Sequence, residues 1–142
     1  MTDLNLDIVR STWAKVLPIA DQAADLFYGR LFDIAPDVEP LFAGSNMAEQ
    51  KSKLLTALNL AVQNTHNTGV LVPLLEDLGR RHVDYGVKDE HYDAVGAALI
   101  WTLERGLGAD FTEEARTSWT AVYGLVADTM KRAANEAVST AA

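Results

Sequence analysis

The stretch LVPLLEDLGRRHVDYGVKDEHY, from Leu71 to Tyr92, governs how the rest of the chain is read. Taken as a helix, it puts Leu71, Leu74, Leu75, Leu78, His82 and Tyr85 on one face, at the spacing of a stripe that packs into a core. One member of that stripe is a histidine. A buried imidazole has two ring nitrogens to satisfy, and it does so either by hydrogen bonds inside the core or by binding a metal. Spacing alone leaves both readings open.

Working outward, the same periodicity recurs on both sides. A first helix is expected from about Leu6 to Leu17, with Ile8, Val9, Thr12, Trp13 and Val16 facing inward and Pro18 as its break. A second, from Ile19 to Ile34, turns Ala23, Leu26, Phe27, Leu31 and Phe32 to the core. Pro36 opens a short helical turn that ends at Leu41 and Phe42, and the polar loop Ala43 to Asn46 follows. A long helix then runs from about Ala48 to Asn67, with Leu54, Leu55, Leu58, Ala61 and Val62 inside and Gln50 one turn before Leu54.

Beyond the opening stretch, which breaks at Gly86, an apolar helix is expected from Asp89 to Gly106, holding Tyr92, Val95, Leu99, Ile100 and Leu103. The last helix starts at Thr112, a capping residue, with Glu113 and Glu114 set against the positive end of its dipole. Its inner face is Trp119, Val122, Tyr123, Val126 and Met130, and a frayed tail is expected from Asn135. Such a chain is all-α, with six or seven long helices packed around one core.

Composition narrows the chemistry. The 142 residues, 49% of them apolar, suit a single domain spanning 1–142. Twenty acidic side chains against 12 basic ones give a net charge of -8, which repels nucleic acid and anionic membrane surfaces. Because the sequence has no cysteine, disulfides, thiolate metal sites, iron–sulfur clusters and cysteine nucleophiles are excluded together. The N-terminus carries acids where a secretory signal is basic, and the longest apolar run, Ala94 to Trp101, is too short to span a bilayer. A soluble, cytoplasmic protein is expected, without membrane insertion.

Several landmarks now fall in order: Phe27-Tyr28-Gly29-Arg30-Leu31-Phe32, Pro36 ahead of Phe42, Gln50 one turn before Leu54, His82 followed by Tyr92, and Trp119 with Tyr123-Gly124. Together they resemble the globin family over essentially the whole chain, and within it the single-domain bacterial haemoglobins and the globin half of flavohaemoglobins. The resemblance implies a globin fold of six to eight helices around haem b (protohaem IX). It implies His82 as the proximal iron ligand, bonded through Nε2, and Phe42, Leu54, Leu78 and Tyr92 as further haem-binding residues. Tyr28 and Gln50 fall at the family's distal tyrosine and glutamine, where two hydrogen-bond donors stabilise a polarised diatomic ligand.

The chain departs from the flavohaemoglobin pattern at one point. That pattern has a glutamate completing a network with the proximal histidine and tyrosine, where this chain has Ala134; Glu136, two residues on, points about half a turn away. Of the remaining polar residues, His66 is expected to be exposed, His91 to lie near a haem edge or in solvent, and Arg80 and Arg81 to meet a propionate or line an open helix face.

The resemblance implies binding of dioxygen, nitric oxide or carbon monoxide, and conversion of nitric oxide to nitrate with Tyr28 and Gln50 as the catalytic pair. That activity needs a separate electron-donating reductase, since the chain has no Gly-rich dinucleotide motif. The alternatives are a dioxygen carrier or buffer for respiration, and a haem-based or haem-free sensor that recruits a partner.

Overall fold

Helical periodicity becomes six α-helices among the described residues of the structure, a computed structural model that describes residues 6–42, 46–65, 67–84 and 88–141. They are α1 (Leu6–Val16), α2 (Ala20–Ile34), α3 (Met47–Gln63), α4 (Thr68–Asp84), α5 (Asp89–Leu107) and α6 (Glu113–Ala141). Short 3₁₀ segments occupy Leu17–Ile19, Pro36–Phe42 and Gly108–Asp110, and the described residues contain no strand. Tyr85, the break at Gly86, His66 and the loop residues Ala43, Gly44 and Ser45 lie outside the described residues.

α1 is fixed by tryptophans. Trp13 and Trp119 lie 6.2 Å apart, ring to ring, and both are almost fully buried. The Trp119 indole N–H donates to Thr12 Oγ1 at 2.8 Å, and that hydroxyl donates onward to the Ile8 carbonyl at 2.6 Å. A buried bond of this type contributes about 1 kcal/mol net, whereas a partner left unmet costs about 1–3 kcal/mol. Trp13 donates across to Asn59 Oδ1 on α3 at 3.0 Å, so one helix is tied to two others.

α4 lies along α6, and α2 lies along α5. The first pairing depends on Gly79: a Cβ there would sit 2.3 Å from the Met130 carbonyl oxygen, so only glycine lets the two backbones meet. Two apolar clusters result. The larger joins α1, α2, α3, α5 and α6; the smaller gathers Ala61, Leu71, Leu75, Tyr92, Ala127 and Met130, and Tyr123 and Val126 pack against both.

Several boundaries differ from expectation for local reasons. α1 ends at Val16, and Leu17 and Pro18 begin a 3₁₀ turn. α3 stops at Gln63 instead of Asn67, because Asn64 Nδ2 donates to the Leu60 carbonyl at 2.8 Å and the Thr65 hydroxyl to that of Val62, competing with the helical ladder. Its start is capped by Asn46, whose side-chain oxygen accepts from the amides of Ala48 and Glu49. Thr112 caps α6 as expected, accepting from the Ala115 amide at 3.1 Å.

The expected fraying at Asn135 does not occur. α6 stays helical to Ala141, with Ala133 and Ala134 buried and alanine the least costly helix residue. Leu26 is exposed instead of buried, since the inner face of α2 is centred on Ala24, Phe27 and Leu31, about 130° away around the helix. Ile8, Leu54, Leu55, Leu58 and Phe32 are half-buried.

Candidate functional site

His82 sits in the last turn of α4, where the main-chain oxygen of Leu78 is one turn back. The two are 2.6 Å apart, and a carbonyl can only accept, so Nδ1 carries the hydrogen and donates it. In the neutral ring Nε2 is then the nitrogen with the lone pair. Burial lowers the His82 pKa from its usual 6.5, partly opposed by the Leu78 bond, which keeps the ring neutral at neutral pH. A half-buried, neutral imidazole of fixed tautomer is the chemistry a metal ligand requires.

Tyr92, buried on the first turns of α5, stands beside it with 6.2 Å between ring centres and planes 30° apart. Its carbonyl accepts from the Tyr123 hydroxyl of α6 at 2.6 Å. Tyr123 can reach it because Gly96 opens the α5 surface: a Cβ there would lie 2.7 Å from the Tyr123 ring. Burial, reinforced by Tyr92 and Asp93, pushes the Tyr123 hydroxyl further from ionisation, so it stays a donor. His82 thus meets the Leu78 carbonyl and the Tyr92 ring, and Leu78 and Tyr92 share the smaller cluster.

The second group forms on the larger cluster. Tyr28 is buried in α2 between Phe27 and Phe42, edge-on to both at 5.1 and 5.6 Å, and Phe42 also meets Phe32 at 5.6 Å. The Tyr28 hydroxyl donates to the main-chain oxygen of Gln50 at 3.3 Å. Tyr28 and Gln50 are thus neighbours through the Gln50 backbone, where a pairing of side chains over one ligand was expected. Burial pushes the Tyr28 pKa up to about 12, which keeps its proton in place. Leu54 packs half-buried against the same cluster one turn along α3.

Among known proteins, the family model for globins matches residues 25–130, a span that contains both groups. The chain belongs to the globin family. It is 28% identical to a flavohaemoprotein of Bacillus subtilis (strain 168) over 125 residues, 87% of this chain and 31% of that protein. A flavohaemoprotein of Rhizobium meliloti (strain 1021) is 29% identical over 130 residues, 90% of this chain and 32% of that protein. This globin therefore spans about a third of the length of the flavohaemoproteins it matches. A bacterial globin structure from Campylobacter jejuni superposes with a TM-score of 0.77 at 26% identity, covering 94% of this chain and 96% of that one. The fold also matches a hexacoordinated haem protein from an anhydrobiotic tardigrade, with a TM-score of 0.83 at 18% identity over 93% of this chain and 96% of that one.

In this globin His91 has a place that its sequence context did not suggest. It is buried and so not simply solvated, and the polar atoms around it satisfy both ring nitrogens. Nδ1 accepts from the Lys88 amide at 3.0 Å, so the ring hydrogen is on Nε2 and is donated to Asp37 at 2.9 Å. The bond ties the start of α5 to the 3₁₀ segment carrying Phe42. Glu90 stands close enough that one donor atom from each of the three residues falls within 4.8 Å of the others. The nitrogen facing these carboxylates carries a hydrogen, however, which makes this a hydrogen bond and not a metal centre.

The return of His91 to the Lys88 amide is local enough to be suspected from sequence, whereas Asp37, 54 residues away, is not. The hydrogen bond from His91 is the main reason the Asp37 pKa lies below its usual 3.8. A depressed carboxyl contributes stability above the unfolded value and loses it as pH falls through the folded one. Replacing Asp37 by Asn should therefore lower the melting temperature at pH 7, and the deficit should close in strong acid. Thermal unfolding of both proteins across pH measures it; a constant deficit would remove the assigned role.

The other charged candidates are peripheral. Arg80 and Arg81 are exposed, and Arg81 pairs with Asp77 at 2.9 Å. Glu136 is exposed while Ala134 is buried, so the carboxylate two residues on is not turned inward.

Proposed function

We propose that this globin is a single haem-binding unit that holds haem b between His82 on α4 and the group formed by Tyr28, Phe42, Gln50 and Leu54. With an electron-donating reductase supplied from elsewhere, it converts nitric oxide and dioxygen to nitrate. The observation that carries the reading is the His82 to Leu78 bond, which leaves the lone pair on Nε2 of a neutral ring. Leu78 and Tyr92 hold that ring from its own side. When bound, haem would supply an iron that takes a diatomic gas and the one electron that nitric oxide and dioxygen need to become nitrate, which the reductase then returns. Tyr28, with its pKa at about 12, offers a proton that is not released at working pH.

In this reading Phe27, Phe32 and Phe42 pack around the Tyr28 ring and hold it in place, so that its hydroxyl is positioned to donate to a polarised ligand. No helix among the described residues is long and apolar enough to cross a membrane. Work in the cytoplasm, where reductants are available, suits the proposed chemistry.

The test has two stages. Visible spectra of the purified protein, oxidised, reduced and with carbon monoxide, should show a Soret band that shifts with the gas. Nitric oxide consumption, followed with an added reductase, should run through many turnovers. One observation favours a dioxygen carrier as the second reading: the Tyr28 hydroxyl already donates to the Gln50 carbonyl, so a ligand has to compete for it. Consumption that stops after one equivalent per haem would select the carrier.

A further inference from the structure

Lys131 lies on α6, one turn before Ala134, and its ammonium stands 5.7 Å from the centre of the Tyr92 ring. Its side chain is only 25% exposed, while its ion-pair partner Asp93, at 3.9 Å, is 85% exposed. Both line a groove of about 430 Å³ between α5 and α6. Tyr92 in turn stands beside His82, with 6.2 Å between the ring centres. Ammonium, phenol ring and imidazole therefore form a file that leads from the groove to the candidate iron ligand.

A cation over a tyrosine face is held by the ring's quadrupole, and a neutral ring does not cancel its field. Because Lys131 is mostly covered, solvent screens it less than an open surface charge, and Asp93, out in solvent and at the limit of ion pairing, offsets it only in part. From the next turn of α6, Ala134 adds no charge. The sign of the effect follows from simple electrostatics. A ferric centre carries one more positive charge than a ferrous one, so a nearby ammonium penalises the ferric state.

We infer that Lys131, acting through Tyr92, is a positioning charge that biases a His82-held haem iron toward its ferrous state. The inference rests on the haem reading proposed above. It gives α6 a part in the redox balance of the site without any contact between Lys131 and a bound ligand, and it makes that balance sensitive to salt and to whatever occupies the groove.

The experiment compares the reduction midpoint of the haem-loaded full chain by spectroelectrochemistry, for the parent and for Lys131→Arg, Lys131→Met and Lys131→Glu, at low and high ionic strength. At a fixed applied potential, the ratio of reduced to oxidised protein should fall roughly three- to tenfold in Lys131→Met and further in Lys131→Glu; a tenfold fall reads as about 59 mV for a one-electron couple. Lys131→Arg should stay near the parent, and the differences should shrink as salt rises. A packing role would not follow charge in this order. Midpoints that coincide across the series, with haem bound, would overturn the inference and leave the haem reading standing. Absence of haemin uptake by the parent would overturn both. Should Lys131→Met lose its helical circular dichroism, Lys131→Gln, read the same way, decides the outcome.

Discussion

Replacing His82 by Ala should reduce the haem content of the purified protein to less than about a tenth of the parent's, and the haem that remains should lack the carbon monoxide shift of a histidine-ligated iron. The expectation follows from the tautomer: Nε2 is the lone-pair nitrogen because Nδ1 donates to the Leu78 carbonyl at 2.6 Å. His82→Gln tests the argument from the other side. It keeps volume and polarity but has no imidazole nitrogen, so it should lose haem as well. A haemin titration followed at the Soret band measures both variants, and unchanged uptake by either one would mean that another residue holds the iron.

Acid should have a related effect in the parent. The His82 pKa is depressed by burial, so the ring is neutral above its usual 6.5 and protonates only as pH falls through the lowered value. Haem retention should therefore persist through neutral pH and fail in acid, where Nε2 takes a proton in place of a metal.

How much of this was legible before the structure depends on how local each feature is. The stripe from Leu71 to His82 and the Thr112 cap rest on residues within a turn or two of one another, and the sequence carries that information directly. Other features depend on which partner arrives from far along the chain. Trp13 and Trp119 both read as core, but nothing in the spacing pairs them through Thr12, 107 residues from Trp119. His91 was expected near a haem edge or in solvent, and its bond to Asp37 was hidden because that partner comes from another element. The need for glycine at position 79 arises only because α6 brings Met130 against it.

At the site, residue identity was legible and orientation was not. Tyr28 and Gln50 were expected to be neighbours, and they are; their link runs through the Gln50 main chain, since the helical rotation that turns a side chain toward or away from a neighbour is set by packing. Leu26 shows the same limit. Its leucine identity suits a core, and the rotation of α2 about Phe27 and Leu31 leaves it outside.

Replacing Tyr28 by Phe should accelerate dioxygen release from the reduced, haem-loaded protein by about 10- to 100-fold. Phe keeps the ring packed against Phe27 and Phe42, so the change removes a hydroxyl and little else. A hydrogen bond to a charged or strongly polarised partner is worth about 1.5–3 kcal/mol, and 1.4 kcal/mol is tenfold in an equilibrium constant. Most such differences between related complexes appear in the release rate. Stopped-flow displacement of dioxygen by carbon monoxide reads it directly. The bond that Tyr28 makes to the Gln50 carbonyl sets the competing outcome. At 3.3 Å it is a long bond, weaker than one to a polarised ligand, so the hydroxyl should turn to the ligand when one is present. If it stays on Gln50, Phe and Tyr at position 28 will release dioxygen at nearly the same rate. The site would then lack the donor that holds dioxygen for reaction, and the carrier reading would replace nitric oxide conversion.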